Sequence, residues 1–166
     1  MNARAADPAA FRAVMRRHPS GVTVVTSLRE KEPRGITLSA FASVSADPPM
    51  LLICVNREAR SYLYISSSRI FCVNLLGVGQ RELAERFSGR IKDHQFGDIA
   101  WSTDVTGAPV LAGTIGHFDC AVEAEHHAGS HSIFIGRVLA CASRAGNPLG
   151  YYDGGFHDFV AGGVRA

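Results

Sequence analysis

A chain of 166 residues, 46% hydrophobic and 19% charged, has the make-up of one globular domain with a sizeable core and no long disordered tail. A formal net charge of +2, with no stripe of Lys or Arg, argues against nucleic acid as a partner. No window approaches the roughly 18 apolar residues that span a bilayer, and the charged N-terminus lacks the apolar segment of a secretory leader. The expectation is a cytoplasmic protein that meets no membrane.

Asp7 and Pro8 form an N-cap and first-turn pair, and Phe11, Val14, Met15 and His18 follow at helical spacing. Pro19, Ser20 and Gly21 stop that helix. Val22 to Leu28 is a β-branched strand, and the charged run from Arg29 to Arg34 makes a hairpin-like link to the next.

The stretch Arg34 to Ser61 is the most informative. Thr37, Ser39, Ser43 and Ser45 share one face at period two, and Ile36, Leu38, Ala40, Ala42 and Val44 share the other. Asp47, Pro48 and Pro49 end the strand, because two prolines remove two ladder donors. Met50 to Val55 is an apolar run short enough for a buried strand. Asn56 then reads as the N-cap of a helix whose first turns hold Ser61. A ribbon of hydroxyls beside a helix start and Arg60 suits a ligand with a flat polar ring and a phosphate. The plainer alternative is a solvent-facing strand side followed by an ordinary cap.

Arg69 to Leu76 reads as a strand, and Gly79 to Ser88 as a short helix with Leu83, Ala84 and Phe87 inward. Ile91 to Thr106, with Trp101, reads as a polar surface excursion. Phe118 to Glu125 alternates, with Phe118, Cys120, Val122 and Ala124 facing one way and Asp119, Ala121, Glu123 and Glu125 the other. It pairs as a hairpin with Ser132 to Cys141 across the turn at His126 to Ser130. Cys54, Cys72, Cys120 and Cys141 sit singly in apolar runs, which reads as core filling and leaves zinc or dithiol chemistry without a motif. His126 and His127 read as part of that polar turn, and even on a strand adjacent residues would point to opposite faces, so no metal site is expected there. The pattern as a whole predicts an antiparallel barrel with a few helices packed outside.

Several ordered motifs then come together: GITLSAFASVSADPP with a strand ending in VNR, PSGVTVVT at Pro19, FCVNLL at Phe71, LAERFSG at Leu83, GSHSIFIG at Gly129 and PLGYYDGGF at Pro148. From about Phe11 to Phe156 the chain resembles the flavin reductase family, the small reductase components of two-component flavin-dependent monooxygenases. The resemblance implies a single domain over residues 1–166. Its fold would be mainly β, an antiparallel split β-barrel of the FMN-binding type with a few flanking helices. It also implies a homodimer.

For the flavin, FMN or FAD, the resemblance implies Thr37, Leu38, Ser39 and Ala40 along the ring. Ser45, Val55, Asn56, Arg60 and Ser61 follow toward the ribityl chain and phosphate, and Phe87, Ser88 and Gly89 form a further contacting turn. His131 resembles the family's dinucleotide-contacting histidine. Tyr152, Gly154 and Phe156 belong to a matching segment whose aromatics suit covering a ring. Tyr62 and Tyr64, after Ser61, depart from the commonest family pattern.

No catalytic triad, carboxylate dyad, metal motif or phosphate loop is present. That suits hydride transfer between NADH and flavin, because the cofactors carry the chemistry and no catalytic side chain is required. No basic residue is placed for a 2′-phosphate, which favours NADH over NADPH. The expected function is an NAD(P)H:flavin oxidoreductase that hands reduced flavin to a partner monooxygenase. The rivals are a flavin-binding protein without activity and an enzyme that keeps its flavin to reduce a small substrate.

Overall fold

The computed structural model describes residues 5–90 and 94–159. Helix α1 (Pro8–Met15) begins as its sequence dictates: the Asp7 carboxylate accepts from the Ala10 amide at 3.0 Å, with proline in the first position. None of its residues is buried, and Phe11 and Val14 are 61% and 71% exposed. The apolar side of α1 therefore finds no core on this chain.

After β1 (Ser20–Gly21) come β2 (Thr23–Arg29) and β3 (Glu32–Leu38), joined through Glu30 and Lys31, both at positive φ as a two-residue hairpin turn requires. Then follow β4 (Phe41–Ala46), β5 (Pro49–Asn56), α2 (Arg60–Ser68) and β6 (Ile70–Leu75). Helix α3 (Arg81–Glu85) runs into a wide turn, Arg86–Arg90. Beyond it lie β7 (Trp101–Thr103), β8 (Pro109–Leu111), β9 (Gly116–Ala128), β10 (His131–Ser143), β11 (Leu149–Tyr152) and β12 (Gly155–Asp158).

Seven strands form one antiparallel sheet in the order β3-β2-β6-β9-β10-β5-β4. The two outer strands, β3 and β4, are consecutive in the chain, so Ser39 and Ala40 carry the backbone from one edge to the other. The sheet curls into a barrel that the chain bridges but the hydrogen-bond ladder does not close, the expected split barrel. At this seam the Phe41 amide donates to the Ser39 carbonyl and the Cys54 amide to that of Ala40.

The seam corrects the reading of Ile36 to Ser45 as one alternating strand. Ile36 and Leu38 do pack on the main core, but beyond the break it is Phe41 that packs there, while Ala42 and Val44 are exposed. A register shift between Ser43 and Ser45 disturbs the period again. Met50 to Val55 also differs from a continuously buried strand: Leu51, Ile53 and Val55 are buried, and the residues between them are half-covered.

Two apolar clusters lie on opposite faces of β2. Val25 joins Ile53, Val55, Phe71, Val73 and Phe134 in one, and Val24 joins Leu76, Ala84, Phe87, Phe96 and Leu149 in the other. Each fully buried phenylalanine contributes on the order of 2 kcal/mol by leaving water.

Part of the predicted surface excursion, Ile91 to Asp93, lies outside the described residues. The remainder is anchored inward, since Gln95 and Phe96 are buried and Phe96 meets the Phe87 ring edge-on at 5.2 Å. Asp119, on the face opposite Phe118 and Val122, is fully buried and accepts from the Thr106 amide at 2.7 Å and from the Thr106 hydroxyl. That polar pair ties the excursion to β9. Cys72 and Cys120 fill core as expected, and burial pushes both thiols up, Cys120 to about 12. Cys54 is half-buried, whereas Cys141 is exposed and fills no core.

Candidate functional site

β3 is an edge strand, and its outer edge organises the site. The Gly35 amide donates to the Gln95 side chain at 3.4 Å, and the Gly35 carbonyl accepts from the Ser61 hydroxyl at 3.0 Å. Both main-chain groups of Gly35 thus point away from β2. By the period of two, those of Thr37 project from the same open edge.

Two cavities lie end to end along that edge. One, of about 480 Å³, is lined by Thr37, Leu38 and Ser39 together with Ser88, Tyr151 and Phe156. The other, of about 280 Å³, is lined by Arg34, Gly35, Arg60, Ser61, Phe87 and Gly89. Five residue steps lead from Arg34 to Ser39, a rise of about 17 Å for extended chain.

The wide turn after α3 forms the wall common to both. Gly35 has no Cβ, and a Cβ there would meet the Phe87 ring at 2.6 Å, so the ring docks where only glycine allows. The Thr37 hydroxyl donates to the Ala84 carbonyl at 2.6 Å and the Ser88 hydroxyl to that of Glu85 at 2.6 Å, which fixes the turn against β3. Both hydroxyl oxygens keep acceptor capacity toward the cavity. Gly89, at φ 88°, takes the left-handed conformation that glycine adopts without strain.

At the other end, α2 starts at Arg60. Its N-cap is Ala59, not Asn56: the Asn56 side chain instead accepts from the Glu58 amide at 2.9 Å in a turn before the helix. The reason is spacing, since three residues intervene between Asn56 and the first helical turn. Among the described residues no side chain caps α2, so its positive end suits an anion in the smaller cavity.

Ser61 and Ile65 are buried under α2, and Tyr62 packs on Phe134 with ring centroids 6.0 Å apart. Ser66 donates to Glu125 at 3.0 Å. Burial by itself raises the Glu125 carboxyl, but the Ser66, Ser132 and Tyr62 hydroxyls and the His127 ring outweigh it and hold the group below its ordinary value. Its buried Oε1 makes no hydrogen bond among the described residues and sits 3.5 Å from His127 Nε2.

The structure brings together Thr37, Leu38, Ser39, Ser88 and Phe156 at the larger cavity, and Arg60, Ser61, Phe87 and Gly89 at the smaller one. The remaining sequence candidates stand apart from both linings. Val55 is buried in the main core, and Ser45 lies near the far end of β4, accepting from the Asp47 amide. Ala40 lies in the seam. Tyr152 lies beside Tyr151, and it is Tyr151 that lines the larger cavity. Gly154, with Asp153, makes the positive-φ turn between β11 and β12.

His131 is exposed and paired in register with Asn56 on β5. Its Nδ1 lies 2.9 Å from the Ser130 hydroxyl. Arg57 clamps the same turn, donating from its amide to Ser130 and from its guanidinium to Gly129. His131 therefore sits beside the segment that leads into the smaller cavity, away from Tyr151 and Phe156. Among the described residues no three His, Cys, Asp or Glu side chains group to hold a metal ion, and no helix is long and apolar enough to cross a membrane.

The family model described as flavin reductase like domain matches residues 15–159. The chain belongs to the flavin reductase-like family. One curated relative is the reductase subunit HsaB of a flavin-dependent monooxygenase from Rhodococcus jostii, 37% identical over 153 residues, covering 92% of this chain and 78% of the relative. Another is the FMN reductase (NADH) SmoA of Agrobacterium fabrum, 36% identical over 149 residues, covering 90% and 84%. Among solved structures, the Streptomyces globisporus NADH:FAD oxidoreductase SgcE6 superimposes with a TM-score of 0.87 at 33% identity, covering 100% of this chain and 97% of that one.

The arrangement fits the flavin that the family name implies. An open strand edge with hydroxyls faces one cavity, and an uncapped helix start with Arg34 and Arg60 borders the next. Three contributors escaped the sequence reading. Gly35 had a signal, a glycine inside a strand, which marks close approach of another group. Tyr151 lay within the PLGYYDGGF run without being singled out, and Arg81, which also lines the larger cavity, had no signal, because its place depends on α3 meeting β12 across the fold.

Proposed function

We propose that this protein is an NADH-dependent flavin reductase that releases reduced FMN or FAD to a partner monooxygenase. It would act in the cytoplasm as one domain and as a homodimer. The single observation that carries the reading is the pair of cavities along the β3 edge, with hydroxyls and aromatic rings in one and two arginines beside a helix start in the other. Bound together, flavin and reduced nicotinamide supply the chemistry, a hydride passing between two rings without an acid or nucleophile from the protein.

The work of the chain is placement. The Thr37 main-chain and hydroxyl groups address the polar edge of a ring, and Ser39 and Ser88 flank it. Arg60 and the start of α2 hold the phosphate. Tyr151 and Phe156, with ring centroids 5.5 Å apart, provide the apolar wall against which a second ring stacks. The exposed apolar side of α1, formed by Phe11, Val14 and Met15, supports association with a second copy. In that arrangement His131, remote from the Tyr151 wall in its own chain, serves the dinucleotide of the neighbouring site.

The test is NADH oxidation followed with and without FMN, FAD and riboflavin. The expected result is turnover that requires flavin and keeps rising beyond one equivalent, because reduced flavin leaves. No oxidation at any flavin concentration would make this a binding protein, and turnover saturating at one tightly held equivalent would favour an enzyme that keeps its flavin.

A further inference from the structure

Among the described residues the larger cavity has two charged side chains in its lining, Arg81 and Glu85, and they are bound to each other, Arg81 Nε donating to Glu85 Oε1 at 2.9 Å. The Arg81 guanidinium carbon also lies 5.9 Å from the centroid of the Phe156 ring, another wall of the same cavity. A carboxylate bonded at one edge and an aromatic ring on another side restrain the exposed guanidinium. Of its five N–H donors, the bond to Glu85 uses one. The two terminal nitrogens keep the planar fork that matches phosphate oxygens.

Taking the larger cavity as the place where the two rings meet, as in the function proposed above, we infer that Arg81 binds the pyrophosphate of the incoming dinucleotide. Charge and position decide it. A dinucleotide that puts its ring against Tyr151 and Phe156 must leave two phosphates nearby, and Arg81 is the cation in that lining. The flavin phosphate is served separately, since Arg34 and Arg60 line the smaller cavity at the other end of β3. The two cofactors thus have different cationic anchors. Glu85 and Phe156 act as positioning residues that hold the fork in place before the ligand arrives. The competing account is an ordinary exposed pair one helical turn apart, which stabilises a helix slightly and does nothing else.

The two accounts separate by choice of hydride donor. Wild type, Arg81→Gln and Arg81→Lys are assayed at saturating FMN with NADH and with 1-benzyl-1,4-dihydronicotinamide, which has the same reacting ring and no phosphate. In Arg81→Gln the preference for NADH over the phosphate-free donor should collapse by about ten-fold, through a higher KM for NADH. Arg81→Lys, which keeps the charge and loses the fork, should recover part of it. FMN affinity, read by quenching of flavin fluorescence, should stay within about two-fold, which also shows that the variants are folded. Equal losses with both donors would overturn the inference and make Arg81 a wall of the ring pocket. An unchanged KM for NADH would reduce it to the surface ion pair. A wild type inert toward both donors would overturn the reductase reading itself, and this inference with it.

Discussion

Gly35→Ala adds one methyl group where the Phe87 ring already stands. The new Cβ would lie 2.6 Å and 2.7 Å from two Phe87 ring carbons, and 3.4 Å from a Val24 methyl. Carbon atoms rest at about 3.5–4.0 Å, so the ring has to retreat by roughly an ångström. It has no room to do so, being fully buried with Phe96 edge-on against it at 5.2 Å. Overpacking of this kind costs about 1–3 kcal/mol. Alanine returns roughly 0.5–1 kcal/mol by reducing the backbone entropy that glycine loses in a strand, so the net loss is about 0–2.5 kcal/mol. The larger consequence is functional, because the turn that Phe87 anchors also carries Ser88 and Gly89, one on each cavity. FMN should bind at least about ten-fold more weakly, a greater factor than riboflavin loses, since the displaced wall borders the phosphate end. Urea unfolding gives the first quantity and titration of flavin fluorescence the second. Phe87→Leu in the same chain should recover about half of the lost stability, since it removes the ring edge that the methyl meets. A Gly35→Ala protein with wild-type unfolding and wild-type FMN affinity would refute the argument that this glycine exists for the close approach of Phe87.

Three further outcomes are expected. Arg60→Glu should weaken FMN by about ten-fold more than riboflavin, since charge reversal at the uncapped start of α2 acts on the phosphate alone; equal losses would make Arg60 a surface residue. The Glu125 carboxyl is held below its ordinary value near 4.5, so its contribution to stability is fully present above that pH and is lost as pH falls through the lower folded value. Wild type should therefore lose unfolding free energy as pH falls below that value, a loss that Glu125→Gln, already lacking the contribution, does not show; parallel curves would remove Glu125 from the docking of α2. His131→Ala, at an exposed position, should leave the melting temperature nearly unchanged while KM for NADH rises several-fold. An unchanged KM would exclude it from the dinucleotide site.

Local chemistry was legible in the chain. Asp7 and Pro8 start α1, the β9–β10 hairpin follows from alternation on both sides of Gly129, and Leu83, Ala84 and Phe87 face inward at helical spacing, because each depends on neighbours within a few residues. The ordered motifs carried the family and, with it, the split barrel and the class of ligand. Period two tells which residues share a face but not which face becomes covered, nor where the period is broken. That is why Asp119 proved to be inside, held by Thr106, and why the ribbon from Thr37 to Ser45 divided at Ser39 and Ala40.

The tertiary structure alone decided three things: that β3 and β4 lie at opposite edges of one sheet, that Gly35 opens a seat for Phe87, and that Arg81 lies over Phe156 across the larger cavity. The first parts two strands that are neighbours in the chain, and the other two join residues tens of positions apart. Such contacts form only when the sheet curls and buries its apolar faces, and no local pattern encodes the partner that burial brings near.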